Sequence, residues 1–510
     1  MSRKMLLNLL FFLVGGAAGG FLLSAAAEGR VSLQGWLGDT ILLVLAVAGL
    51  WLGWRVSGSP RSLLIAVATA FLIRLFAGIA LSIALPVWGH ESEVSQAGYL
   101  FFDAYTRDRQ AWQLAQSGAS LFSAFSNEFS GDQYGGMLAV SALVYRLFSP
   151  DVHRSYLIII LTAFASAAAV PFFYEAVRKY FGQTIAITAA WIYVAYPESV
   201  LLGAAQMRDP ILIALAGVAF WLVSRWQDAP RRVTVGLILV LAVTAAFSYL
   251  VALPLAGILF LWWWLEYSGR VREARIRTAV WVLVGLGATA VMLVMGAWLK
   301  ESALWDARLT ETGSGKIQAL FQSLPDVLEL PFLVVYGLLQ PVLPAAIFDP
   351  STPLWTGITT FRSLGWYLML PLLGYVPLGL RHTPKGLPRS LVCWAFLIVL
   401  GWSLLSSFRA GGDLWDNPRY RTLLLPWLAM LAAWAFHSAR QYRDMWFTRL
   451  VFCEGIFLAV FSLWYANRSF RLELPFSFLQ AVAATVILCA VVLLAGFWVD
   501  RLRILKKRSP

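Results

Sequence analysis

Residues 88–150 read WGHESEVSQAGYLFFDAYTRDRQAWQLAQSGASLFSAFSNEFSGDQYGGMLAVSALVYRLFSP, the longest polar interval in a chain that is otherwise mostly apolar. The interval holds Glu91, Glu93, Asp103, Asp108, Glu128 and Asp132, with Arg107 and Arg109 among them. On both sides of it, apolar runs near 20 residues recur, each long enough to cross a ~30 Å hydrocarbon core as a helix. The chain therefore reads as an all-α polytopic integral membrane protein with residues 88–150 as a large loop on one face. Carboxylates gathered in such a loop need water, and they mark where chemistry on a polar substrate is expected.

Composition agrees. Of the 510 residues 60% are apolar and 13% charged, with mean hydropathy +0.71. A soluble domain cannot hide that much apolar surface. The ten-residue alternating segments of a membrane barrel are absent from the pattern. A net charge of +13 would point to nucleic acid in a soluble chain. Here the basic residues sit in short loops between apolar runs, the positive-inside pattern, and no nucleic-acid partner is expected. Cys393, Cys453 and Cys489 lie in apolar segments and read as small packing residues. His90, His153, His382 and His437 are scattered, with no pair at i,i+4, so no zinc site is expected. Any metal would be oxygen-bound, as Mg²⁺ or Mn²⁺. Trp36, Trp88, Trp226, Trp366 and Trp498 stand at segment ends, as in an interfacial aromatic belt.

Working outward from the loop, a run at 62–87 precedes it and carries Arg74 near its centre, a costly position that usually faces a bundle interior or polar cavity. Runs at 5–27 and 37–54 come before that. The first has a signal-peptide-like Ala25-Ala26-Ala27, but its length favours a retained helix. Within the loop, 103–118 and 134–148 have helical spacing and read as helices along the membrane surface. After it, spans are expected at 156–177, 184–197, 210–226, 234–248, 250–266 and 278–298. A second loop at 300–362 follows, with a Gly/Ser-rich stretch at 312–316 and a Pro-punctuated apolar piece at 330–348 that is re-entrant or interfacial. Spans at 364–380, 390–407, 422–436, 450–465 and 476–499 complete about fourteen, with both termini on the basic, cytoplasmic side. Arg74 apart, few charges are expected mid-span. This topology puts Asp103, Asp108, Asp209, Asp413, Asp416 and Arg419 on the outer side.

Three constellations stand out there. Asp103 and Asp108 suit proton transfer from a hydroxyl or the holding of a metal, and they equally suit a solvated helix with Asp103 and Arg107 paired at i,i+4. Met207-Arg208-Asp209-Pro210 opens an apolar helix. Asp before Pro is an ordinary N-cap arrangement, whereas Arg208 at that edge could hold a phosphate bidentately. Asp416-Asn417-Pro418-Arg419-Tyr420-Arg421 places a basic pair against the positive-inside trend. Pairing with Asp413 and Asp416, or a phosphate group, would each account for it. No Walker loop, dinucleotide fingerprint or Ser/Cys nucleophile motif is present in the sequence.

The order of these features resembles the polyprenyl-phosphate-dependent membrane glycosyltransferases of the GT-C fold, in particular the protein O-mannosyltransferase and aminoarabinose transferase group. The resemblance covers roughly residues 62–437. It rests on Asp103 followed by Ala111 and Leu114-Ala115, on Arg178-Lys179-Tyr180-Phe181-Gly182, Tyr196-Pro197 and Arg208-Asp209-Pro210, and on Arg419-Tyr420 before an apolar run with Pro426. Arg107 stands where the family often has Tyr, and Gly135-Gly136 replaces its usual Pro pair. On this view residues 1–61 are two additional helices and 438–510 are C-terminal helices with a basic tail.

The resemblance implies inverting transfer of a sugar from a polyprenyl-phosphate donor at the outer face of a plasma membrane. The acceptor would be a lipid, glycan or protein. Asp103 or Asp108 would be the base, or a metal ligand with Asp209. Arg208, Arg419, Tyr420 and Arg74 would serve the donor phosphate. Glu91, Glu93 and Arg107 would lie on the acceptor side. The alternatives are an outer-face polysaccharide polymerase or ligase, which would bind a pyrophosphate-linked oligosaccharide, and a lipid-linked saccharide transporter or flippase, which would show internal repeats.

Overall fold

The computed structural model describes residues 3–29, 31–126, 133–268, 273–276, 278–283, 285–286 and 324–508. Glu128, Asp132, the 312–316 stretch and most of the expected span at 278–298 lie outside them. Among the described residues the chain is helical, with no strand, and eight helices are long and apolar enough to cross a membrane, nine if one bent pair counts. The protein is a multi-pass membrane protein. By contact it divides into two compact units, residues 1–263 with 422–430, and residues 264–421 with 431–510.

The first unit begins with α1 (Arg3–Glu28), α2 (Leu33–Ser57) and α3 (Ser62–Trp88). Lipid offers helices no hydrophobic drive to associate, so close approach at small residues takes its place. Gly20 lies against Thr40, Gly16 against Val44, and Gly49 against Phe164. Asp39, fully buried in α2, accepts a hydrogen bond from the Tyr156 hydroxyl at 3.2 Å. α2 is thereby fastened to α7 (Tyr156–Ala168) by packing and by a polar contact, and α1 packs on α2.

α8 (Val170–Ala195) is interrupted at Gly182, φ 80° and ψ 175°. Phe173 and Tyr193 stack at 5.2 Å, whereas twenty residues of straight helix would hold them ~30 Å apart. The chain therefore turns back at Gly182, a conformation that favours glycine. α9 (Pro197–Gly203) and α10 (Asp209–Ser224) follow. α11 (Pro230–Tyr267) turns back at Ser248 in the same manner, since Gly236 lies against Leu222 and Trp262 packs on Phe220 at 4.9 Å. Each of these two elements thus supplies two limbs, corresponding to the pairs expected from the apolar pattern.

The second unit contains α12 (Asp326–Leu339), α13 (Leu343–Phe348), α14 (Pro353–Gly379), α15 (Leu387–Ala410), α16 (Asp416–Thr422), most of α17 (Leu425–Tyr442), α18 (Met445–Phe470) and α19 (Phe478–Arg508). The apolar piece at 330–348 is a helix, a break at Gln340-Pro341 and a second helix. Proline cannot donate to the ladder, and the carbonyls freed by the break find side-chain donors. Trp366 Nε1 donates to Leu338 O (2.7 Å), Tyr367 to Leu339 O (3.3 Å) and Arg421 Nη2 to Gln340 O (2.7 Å). At the 380–444 end, Asp444 accepts from Arg381 (2.6 and 2.7 Å), His382 Nε2 lies 2.9 Å away, and Trp446 N–H donates at 3.1 Å. Burial opposes the charge there, but these donors with Tyr375 hold the carboxyl down at about 2. Besides Arg74, Asp39 is buried in α2 and Glu454 lies within α18. A single charged letter barely lowers the hydropathy of a 20-residue window, so neither stands out in the sequence.

Candidate active site

The loop after α3 folds into a short α4 (Glu93–Gln96), then α5 (Phe102–Gln116) and α6 (Gly136–Phe148). α5 starts one residue before and α6 two residues after the expected bounds. Gly135 sets the second start. It has φ 77°, and a Cβ there would lie 2.5 Å from Ala124 O. Arg146 of α6 donates to Leu114 O (2.8 Å) and Ala119 O (2.5 Å), serving carbonyls orphaned at the end of α5.

The two candidate bases on α5 differ in surroundings. Asp108 is 2% exposed. Tyr99 donates to its Oδ2 at 2.6 Å, Tyr145 to its Oδ1 at 2.5 Å, and His153 Nε2 lies 2.9 Å from Oδ2. His153 stacks on Trp112, centroids 5.2 Å apart. Burial first, and the Asp108 carboxylate second, push both tyrosine hydroxyls far above their ordinary value, so both remain protonated donors. Asp108 thereby joins α5 to α6 and to the segment before α7. Asp103 lies in the first turn of α5 and is half-buried. Arg107 is buried, Glu91 exposed, and Glu93 takes hydrogen bonds from Tyr105 and from Arg109 at the surface.

Asp209 and Arg208 stand at the start of α10. The helix begins at Asp209, so the N-cap position falls to Arg208, which makes no side-chain cap bond. The expected Asp209 cap is corrected accordingly. Asp209 is inside the first turn, where its charge suits the helix dipole, and it is 3% exposed. The half-buried Arg208 lies over the Tyr134 ring at 4.5 Å. The Ser155 carbonyl, two residues after His153, accepts from Gln206 at 3.4 Å, just before α10.

Arg74 is fully buried on α3. Its guanidinium donates to Ala70 O (3.0 Å), Val194 O (3.1 Å), Ser199 Oγ (3.0 Å) and Tyr193 O (3.5 Å). Pro197 ends the preceding helical limb, so the carbonyls of residues 193 and 194 lack intrahelical partners, and Arg74 serves them. Gly203 leaves room for this, since a Cβ there would lie 2.5 Å from Arg74 Cδ.

In the second unit, Arg419 and Tyr420 lie on α16. Asp413 accepts from the N–H groups of Trp415 and Asp416, 2.7 Å each. Arg419 pairs with Asp416 at 3.3 Å and lies 5.1 Å from the Tyr420 ring centre. Arg409 lies on the same ring at 5.0 Å, Arg362 on Trp415 at 4.1 Å and Arg421 on Trp366 at 3.3 Å. Four arginines thus gather with two aspartates. The pairing of Arg419 with Asp416 is present. Arg362 and Arg409, like Tyr99, Tyr145 and His153, were not legible as partners, because each is joined to its cluster only by tertiary packing.

Mg²⁺ or Mn²⁺ would need several oxygen donors. Among the described residues no three His, Cys, Asp or Glu side chains come together to build such a set.

No known protein family matches the sequence, and no curated protein is similar to it. Among solved structures, the chain is similar to the archaeal oligosaccharyltransferase AglB from Archaeoglobus fulgidus, in complex with an inhibitory peptide and a dolichol-phosphate. Identity is 14% and the TM-score 0.36, over 84% of this chain and 54% of that one. The chain thus spans about half the length of that enzyme.

Proposed function

We propose that the protein transfers a sugar from a polyprenyl-phosphate donor to a hydroxyl-bearing acceptor at the outer face of the membrane, with inversion at the anomeric carbon. The observation that carries this reading is the contrast on α5, in the loop that follows α3: Asp108 is enclosed by Tyr99, Tyr145 and His153, whereas Asp103 is half-buried in the first turn. Asp103 is the base. It takes the acceptor proton as the acceptor oxygen bonds to the anomeric carbon, while the carbon–oxygen bond to phosphate breaks and its electron pair leaves on the polyprenyl phosphate. Asp209 positions the acceptor, with Glu91, Glu93 and Arg107 on the approach. Asp108 acts through structure, by fixing α5.

Arg208 is assigned to the donor phosphate, where charge builds as the bond breaks. Arg419 and Tyr420 are assigned to phosphate binding because Arg409 and Arg419 gather on the Tyr420 ring. Arg74 is a positioning residue, holding the turn that carries Arg208 and Asp209.

The test is release of free polyprenyl phosphate by reconstituted protein from a panel of polyprenyl-phosphate sugars. Wild type is expected to release it, and Asp103→Asn and Asp209→Asn to lose about 10²-fold or more while melting normally. Full activity in a folded Asp103→Asn protein would sink the assignment. Release only from pyrophosphate-linked oligosaccharides would replace it with the polymerase or ligase reading.

A further inference from the structure

Tyr249 has no part in the chemistry above, yet its place is closely set. α11 turns back at Ser248, the residue before it. The two limbs of α11 meet the far end of α10, Gly236 against Leu222 and Trp262 on Phe220. From those contacts to Ser248 each limb runs about 18–21 Å, and α10 runs about as far from Leu222 back to Arg208. The turn therefore lies at the end of α10 that carries Arg208.

There the turn is held against the start of α6, backbone to backbone. A Cβ on Gly136 would collide with the Ala246 carbonyl oxygen and lie 3.1 Å from the Phe247 nitrogen, so the approach requires glycine. Two residues before Gly136, the half-buried Tyr134 meets Tyr249 edge to face at 5.1 Å, and the same Tyr134 ring carries Arg208 at 4.5 Å. The starts of α6 and α10 and the turn of α11 so bring a guanidinium and two tyrosine rings into one row. Tyr249, at the open end of the row, is 56% exposed, while Ser248 beside it is buried. An edge-to-face pair covers at most one face of each ring, so a face of Tyr249 stays clear of Tyr134.

Tyrosines are common where a membrane meets water. An interfacial anchor, however, needs no second ring and no arginine held with it in fixed order. That combination suits a molecule with an anionic group next to an apolar ring face. A glycosyl phosphate is such a molecule. Its phosphate takes charge-assisted hydrogen bonds from a guanidinium, and the C–H groups on one face of a pyranose stack on an aromatic ring.

We propose that Tyr249 is the sugar-binding platform of the donor subsite, with Tyr134 as a positioning residue that sets its distance from Arg208. This rests on the donor reading given above and adds which part of the donor each residue meets, Arg208 the phosphate and Tyr249 the pyranose. Steps of 4.5 and 5.1 Å keep the two within reach of one glycosyl phosphate.

The experiment is equilibrium binding to the full chain in lipid nanodiscs. The probes are a short polyprenyl phosphate and the same lipid carrying glucose, mannose or galactose. Wild type is expected to hold at least one glycosylated lipid about tenfold more tightly than the bare phosphate. Tyr249→Ala should bind the bare lipid as wild type does and lose the preference. Tyr249→Leu, which keeps apolar bulk without a ring face, should do the same, and Tyr249→Phe should keep the preference. Arg208→Gln should weaken binding of every probe. A normal melting curve checks the fold of each variant. A preference that survives in Tyr249→Ala or Tyr249→Leu would overturn the platform and leave Tyr249 an interfacial anchor, with the donor reading intact. Equal binding of all probes by wild type would overturn it in the same way. Wild type that binds none of them, bare lipid included, would overturn the donor reading and the platform with it.

Discussion

The acidic loop of the first unit and the α16 cluster of the second handle buried charge by opposite means. Asp108 is enclosed by donors, two tyrosine hydroxyls and the His153 imidazole. The arginines around α16 reach the Leu338, Gln340 and Trp415 carbonyls and the rings of Trp366, Trp415 and Tyr420, and Arg419 also pairs with Asp416. In the first region a carboxylate is enclosed by hydrogen-bond donors, and in the second guanidinium groups are enclosed by carbonyl oxygens and aromatic faces, so each kind of buried charge is met by partners suited to it.

The sharpest way to break this comparison is to remove the acceptor that three donors share. Asp108→Ala leaves Tyr99, Tyr145 and His153 without their common partner, and about 3 kcal/mol of stability is expected to go. A thermal melt of the purified protein reads this, and an unchanged melt would mean that the loop is not organised around Asp108. Next in size is Arg419→Ala. It is expected to raise the donor concentration for half-maximal release about tenfold, or ~1.4 kcal/mol, with little effect on folding. A change in maximal rate alone would place Arg419 with the reacting atoms. The smallest effect belongs to Arg109→Ala. Its pair with Glu93 is exposed, side chains 53% and 74% accessible. Such pairs are worth at most ~1 kcal/mol and fade in salt. Neither melting nor release should move measurably, and a large loss would mean that Glu93 and Arg109 contact the acceptor.

The Asp103 and Asp108 pair shows how far spacing reaches. Both are acids on one short helix, and their positions identify them equally as candidate bases. They differ only in what the chain brings near them. His153 arrives from 45 residues downstream and Tyr145 from 37. Arg74 is similar. Its depth in an apolar run was visible, but the carbonyls it serves lie about 120 residues on.

What the sequence determined by itself was everything that depends on local hydropathy and charge. That includes the polytopic helical class, the apolar runs, the loop helices at 102–116 and 136–148, and the turn at Gly182 in its basic, glycine-bearing loop. These follow because a span must satisfy its backbone internally and be apolar along its length, a constraint each segment meets alone. Only the tertiary structure decided which polar side chains are spent and which stay open. It tied Asp39 to Tyr156, enclosed Asp108 and set Arg74 on the α8 carbonyls. A polar group in a membrane helix needs one partner at about 3 Å, and a partner can come from any turn of any neighbouring helix. Periodicity along one chain carries no record of that choice.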